Sequence, residues 1–270
     1  MTERKGTRQH RNKMIMTTVL TVIMVVCIVI VVVYFIKGKR AENTYQDIQQ
    51  SAKVDQQEND DTEQEPHGDY DGMPVIDFET LWETNTDICA WITVPGTEVD
   101  YPVLRKTDST ELHDVYYLMH TVDNVEGLPG SIYIEPINAP EFTDANTVVY
   151  GHNMKNGSMF GSLHSFEDDS FFEENQYAYV VTPEKSLVYQ IFATVVYDNR
   201  HITGTYDFTD KGQYQQFLDS LTDNRNMGDL FREGIDVTTD DRILTMSTCI
   251  SGQDDKRLLV EAVLVDEYEN

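Results

Sequence analysis

The sequence predicts a mostly-β fold, a closed barrel or a sandwich, behind an apolar N-terminal span and an acidic linker. Three observations predict it. Eight short runs rich in Val, Ile, Tyr and Thr follow one another between residues 89 and 265, many separated by turn signals such as Pro95-Gly96, Pro129-Gly130, Asn156-Gly157 and Pro183. Within those bounds only one long stretch, about 212–232, has a helical period. Residues 14–36 contain no charge, proline or glycine.

That uncharged run, from Met14 to Ile36, would span about 34 Å as a helix, against about 30 Å for a bilayer core. A cleaved signal peptide has a shorter apolar region and ends in a small-x-small site. Here the run exits into Lys37-Gly38-Lys39-Arg40. The reading is therefore an uncleaved transmembrane anchor over 14–36, with Cys27 as an apolar filler. Arg4, Lys5, Arg8, Arg11 and Lys13 precede it, and Lys37, Lys39 and Arg40 follow it. The excess on the leading side favours a cytoplasmic segment over 1–13 and a body outside the cell. Residues 37–72 read as an acidic flexible tether, since 41–72 hold ten acids against Lys53 alone. The other reading of that segment is a solvated amphipathic helix leaving the membrane.

The chain carries 20 Lys and Arg against 47 Asp and Glu, for a net charge of -27. A body this acidic excludes clamping of nucleic-acid phosphates, which needs a basic face. Its three cysteines, at 27, 89 and 249, exclude a disulfide framework.

Residues 73–270 form one domain of ordinary size. Ile76, Phe78, Leu81 and Trp82 predict a short amphipathic helix starting after Asp77. The predicted strands are 89–94, 99–104, 131–134, 147–151, 177–182, 187–197, 242–248 and 257–265. Tyr214, Phe217, Leu218 and Leu221 follow i, i+3, i+4, i+7 spacing, and Met227, Leu230 and Phe231 extend it past a break. One helix or two short ones are thus inserted between the sixth and seventh strands.

Three residues combine the right chemistry with positions at strand ends. Cys249 closes the seventh strand, Arg257 opens the eighth, and His152 follows the fourth. A thiolate is a nucleophile, an imidazole can protonate a leaving amine, and a guanidinium can stabilise an oxyanion without titrating. Cys89, beside Trp91, reads as a structural thiol. His113, His120, His164 and His201 lack metal-ligand spacing and read as surface or loop residues, so neither a metal nor a cofactor is expected. The acidic runs 167–169 and 173–174 read as solvated faces.

Thr245-Met246-Ser247-Thr248-Cys249 is similar to the TLxTC strand end of the sortases, the membrane-anchored cysteine transpeptidases of Gram-positive bacteria. Asn146 to Asn153 (NTVVYGHN) resembles the strand carrying that family's histidine, and Lys256 to Val260 (KRLLV) resembles the strand carrying its arginine. Trp91–Thr97, Asp100–Val103 and Gly151–Leu163, with the inserted helix, resemble class B members. The resemblance implies an eight-stranded closed barrel and a catalytic trio of His152, Cys249 and Arg257. It also implies substrate contacts at Leu118, Ser247 and Thr248. Asp114 stands where many class B members carry an Asn, so its role is open.

The implied reaction cleaves a C-terminal sorting signal of a secreted protein. It joins the acyl product to an amine of a cell-wall (peptidoglycan) precursor, or to a pilin lysine. Such an enzyme is also a thiol hydrolase if water replaces the amine. The alternative function is a non-catalytic surface module that holds a peptide on a sortase-like barrel.

Overall fold

The computed structural model describes residues 3–53, 70, 72–223 and 228–270. They fall into two compact units, one ending at Thr44 and the other running from Tyr45 to Asn270.

The first helix, α1 (Glu3–Ser51), is long and apolar enough to cross a membrane, and its side chains from Val19 to Ile36 are exposed. It also continues through residues expected to be a flexible tether. Tyr45, Ile48 and Ala52 are buried in the core of the second unit. The Tyr45 hydroxyl lies 2.7 Å from the Gly130 carbonyl, to which it donates, and accepts the Val122 N–H at 3.2 Å. Lys53 forms a bridge with Ile76 and an ion pair with Asp100 at 2.6 Å. The tether boundary is thus corrected for residues 37–53. Composition counting passed over the i, i+3, i+7 stripe of Tyr45, Ile48 and Ala52 in an otherwise polar stretch. The rest of the expected tether, 54–69, lies outside the described residues.

Helix α2 (Phe78–Thr84) begins where Asp77 caps it, accepting the Thr80 N–H at 3.1 Å. The strands follow as β1 (Ile88–Thr93), β2 (Asp100–Arg105), β3 (Ile132–Ile134) and β4 (Asn146–Tyr150). After the short helix α3 (Asp169–Glu174) come β5 (Tyr177–Val181) and β6 (Lys185–Asp198). Helices α4 (Ile202–Thr205) and α5 (Lys211–Asp223) precede β7 (Leu230–Phe231), β8 (Ile243–Ile250) and β9 (Gln253–Glu269). The sheet order is β5-β1-β2-β3-β4-β8-β9-β6, and β6 pairs back onto β5. Eight strands therefore close into a barrel, which decides between barrel and sandwich. The two-residue β7 lies beside β6 at Ala193 and Thr194.

The main apolar core includes Trp91, Ile92, Leu104, Val180 and Leu244, each fully buried. A second cluster lies outside the barrel wall. There Tyr214, Phe217, Leu218 and Leu221 of α5 pack on Phe192, Val195, Leu259 and Val263. Covered on both faces, β8 is buried from Ile243 to Thr248, which is why it reads as a continuous run. The predicted helix over 212–232 is correct only to Asp223. Residues 224–227 lie outside the described set, and Leu230 and Phe231 are strand. Two adjacent apolar residues fit either period over so short a stretch, and pairing with β6 decided it.

Candidate active site

Strands β8 and β9 pair as Ser247↔Leu259, Thr248↔Leu258 and Cys249↔Arg257, after which the register shifts. Directly opposed residues share a sheet face. Cys249 and Arg257 therefore project to one side, and Lys256 to the other. Arg257 is not the first residue of its strand as expected, because β9 begins at Gln253.

On the opposite flank of β8, β4 runs parallel with Tyr150 level with Ser247. The Gly151 N–H continues the ladder to the Ser247 carbonyl at 3.2 Å. The Thr248 hydroxyl donates to the Gly151 carbonyl at 2.8 Å. His152 follows directly, two residues beyond Tyr150 at the same end of the sheet as Cys249. The consecutive strands β8 and β9, with a segment about a hundred residues earlier, thus bring Cys249, Arg257 and His152 to one end of the barrel. Gly151 is required at this junction. A Cβ there would lie 2.5 Å from Ile132 Cδ1 and 2.7 Å from the Phe160 ring.

Nε2 of His152 lies 2.7 Å from the Leu118 carbonyl. A ring nitrogen facing a carbonyl carries the proton, so Nδ1 is the nitrogen left for chemistry. Leu118 ends a 3-10 turn, Tyr116–Leu118. Just before that turn Asp114 accepts the Tyr116 N–H at 2.7 Å, an Asx-type bond across Val115. Gly130 (φ +66°) lies against the turn, where a Cβ would come within 2.3 Å of the Leu118 carbonyl oxygen. Around Leu118, the side chains of Leu112, Val115, Met119 and Leu128 are exposed, an apolar segment beside the His152 anchor.

The Arg257 guanidinium donates from Nη1 to the carbonyls of Asp254 (3.1 Å) and Lys256 (2.7 Å). Its Nε and Nη2 have no partner among the described residues. Cys249 is exposed, whereas Cys89 is half-buried with Sγ 3.4 Å from the Val103 carbonyl. Burial pushes the Cys89 thiol up to about 12, which keeps it protonated and inert near neutrality. Both thiols are free. Ser247 and Thr248 are buried beneath Cys249, and the Thr248 hydroxyl is engaged by Gly151.

Two residues at this end were not anticipated. Asn153 Nδ2 donates to the Cys249 carbonyl at 2.9 Å, and His164 Nε2 lies 3.1 Å from the same oxygen. His164 Nδ1 in turn faces Glu167 at 2.7 Å. With its Nδ1–H on the Glu167 carboxylate, His164 presents a bare Nε2 that accepts from Asn153 Nδ2 at 2.9 Å, so it holds the amide that donates to the Cys249 carbonyl. The acidic run beginning at Glu167 is structural as well: Asp168 caps α3 by accepting the Phe171 N–H at 3.0 Å. Only Asn153, adjacent to His152, carried any sequence signal.

The Sortase domain family matches residues 92–265, well over half of the chain. The chain is 33 % identical over 199 residues to "Sortase B" of Listeria monocytogenes, covering 70 % of this chain and 74 % of that protein. The crystal structure of Clostridium perfringens sortase B superposes with a TM-score of 0.61 at 30 % identity, over 70 % of this chain and 100 % of the other. The Staphylococcus aureus sortase B–substrate complex gives 0.60 at 28 % identity, over 70 % and 84 %. With a matching domain, a matching closed barrel and its likeness to class B members, the chain belongs to the sortase family.

Proposed function

We propose that the chain is a class B-type cysteine transpeptidase whose catalytic residues are Cys249, His152 and Arg257. The observation that carries this reading is the cross-strand pair Cys249–Arg257, with His152 two residues beyond the end of β4, where Tyr150 lies level with Ser247. Nδ1 of His152 takes the Cys249 proton while Nε2–H stays on the Leu118 carbonyl. The thiolate attacks a peptide carbonyl carbon, and the uncommitted Nε and Nη2 of Arg257 hold the developing oxyanion. As the C–N bond breaks, His152 delivers its proton to the departing amine, leaving a thioester on Cys249. An incoming amine attacks the thioester, gives a proton to His152 and expels the thiolate. The acyl donor is a C-terminal sorting signal of a secreted protein, and the acceptor is an amine of a peptidoglycan precursor or a pilin lysine. Leu118 and its exposed apolar neighbours supply a surface for the signal's side chains. Residues 14–36 of α1 anchor the chain, with 1–13 cytoplasmic and the barrel outside.

The test is turnover of a peptide library by the parent, Cys249→Ala and Cys89→Ala, with and without an added amine. Cys249→Ala should abolish acyl transfer with its circular dichroism unchanged, and Cys89→Ala should retain most of it. Equal loss in both folded variants overturns the assignment. Hydrolysis with no amine-linked product would make the chain a thiol protease. Peptide binding without turnover would make it a non-catalytic module.

A further inference from the structure

His113, Glu135 and His201 come from three separate parts of the chain and converge outside the catalytic trio. His113 precedes the 3-10 turn that carries Leu118, Glu135 follows β3, and His201 lies between β6 and α4. His113 Nδ1 is 3.1 Å from Glu135 Oε2, and His201 Nε2 is 2.6 Å from Oε1. One ligand atom from each residue can be chosen so that all lie within 4.8 Å of one another. The two imidazoles meet edge to face, with centroids 4.6 Å apart.

We propose that His113, His201 and Glu135 form a binding site for a divalent transition metal, with zinc the ion the ligand set fits. Four lines of physical argument support it. First, a zinc ion with bonds of about 2.0–2.2 Å sets its ligands about 3.3–3.6 Å apart at tetrahedral angles. The separations here need shifts of an ångström or so, within the reach of side-chain torsions.

Second, the Glu135 side chain is 1 % exposed, and no Lys or Arg pairs with it among the described residues. A buried carboxylate needs a positive partner, and a dication between it and two imidazoles supplies one. Third, Thr203 Oγ1 donates to Glu135 Oε2 at 2.8 Å, the outer-shell hydrogen bond that orients a ligating carboxylate. Fourth, the His113 and His201 side chains are 39 % and 41 % exposed, so an ion can enter and a water can complete the shell.

Two nitrogens and one carboxylate suit zinc and its neighbours in the first transition row. They do not suit calcium or magnesium, which take mostly oxygen ligands in larger numbers. No spacing motif exposes the site, because its ligands lie 22 and 66 residues apart along the chain. Occupancy would tie the segment leading to Leu118, and hence the carbonyl that holds His152, to the end of β6.

The experiment uses the metal-stripped full chain in detergent, in a Cys249→Ala background so that this thiol cannot compete. Zinc chloride is titrated calorimetrically, followed by cobalt with visible spectroscopy. The expected result is one equivalent of zinc, and a tetrahedral cobalt spectrum without a thiolate charge-transfer band. Loss of an outer-shell partner alone weakens metal sites by about 10–100-fold, so His113→Ala and His201→Ala should each weaken zinc by about 100-fold or more. Both residues are exposed, so circular dichroism should not change. Zinc should raise the melting temperature of the parent and not that of the double variant. No binding at micromolar zinc, or equal affinity in parent and variants, overturns the site. The first result would leave a metal-free cluster of hydrogen bonds to Glu135, and the second would place the ion elsewhere.

Discussion

Cys249 is exposed at the point where its strand loses register with its neighbour, between Cys249 and Ile250. A bulge re-aims a side chain and ends pairing, and here it frees a thiol from a strand that is otherwise buried up to Thr248. The same register makes Lys256 a built-in control for Arg257. A planar guanidinium offers several donors in fixed directions, whereas an ammonium is a compact point charge. Losing one oxyanion donor costs on the order of 10²–10³ in rate. Arg257→Lys should therefore lose about that factor at saturating peptide and amine, and Lys256→Ala should change little. A crippled Lys256→Ala beside a normal Arg257→Lys would put the strand one residue out of register. At this scale the proposed trio could be named because nucleophile, base and oxyanion donor are distinctive residue types at strand ends, within motifs that resemble those of the sortases. Asn153 and His164 were not, because they reach the backbone carbonyl of Cys249 through Asn153 Nδ2, and the short 3-10 helix that carries His164 leaves no long period in the sequence.

Helix α1 shows what element-scale reading misses. Counting acids made 41–72 a tether, yet Tyr45, Ile48 and Ala52, at helical spacing, are buried in the core of the second unit. Tyr45 does most of this, since its hydroxyl meets both a carbonyl and an N–H of the 121–131 loop. Replacing a large buried side chain by Ala costs about 3–5 kcal/mol. Tyr45→Ala should therefore lower the unfolding free energy of a 41–270 fragment by about 3 kcal/mol in denaturant titration. A fragment starting at Met73 should be destabilised further, since it also lacks Ile48 and Ala52. Equal midpoints for the 41–270 and 73–270 fragments would show that the docking contributes nothing. Helix α5 was readable because its four apolar residues repeat over two turns, a signal that short strands do not match. Strand β7 was unreadable because two residues hold no period, and only β6 beside them defines it.

Across the whole molecule, stability carries a pH dependence rooted beneath α5, where Glu261 shares the outer face of β9 with Leu259 and Val263. Glu261 is fully buried, and desolvation pushes its carboxyl up to about 8, against the lowering effect of Thr245. Thr245 Oγ1 lies 2.8 Å from Glu261 Oε2 and 3.1 Å from Asn146 Oδ1. One hydroxyl proton cannot serve both acceptors. A protonated Glu261 donates to Thr245, which then donates to Asn146, so the neutral acid satisfies the chain. Between about pH 5 and pH 8 the folded state keeps a proton that the unfolded chain has released, so stability falls as pH rises. The slope from this group is about 1.4 kcal/mol per pH unit. Glu261→Gln should remove that slope, measured as the difference in unfolding free energy from the parent across the window. A parallel pair of curves would mean that Glu261 ionises normally. Barrel closure has a different consequence. Strand β5 meets β6 on one side and β1 on the other, so the wall offers no long free edge for a peptide to join as an extra strand. For the proposed reaction, selectivity for a peptide rests on the connecting loops, while Cys249 and Arg257 stay fixed on the wall. Exchanging side chains along the 106–131 loop, with the Leu118 carbonyl left on His152, would then change which peptide is held and not which groups react.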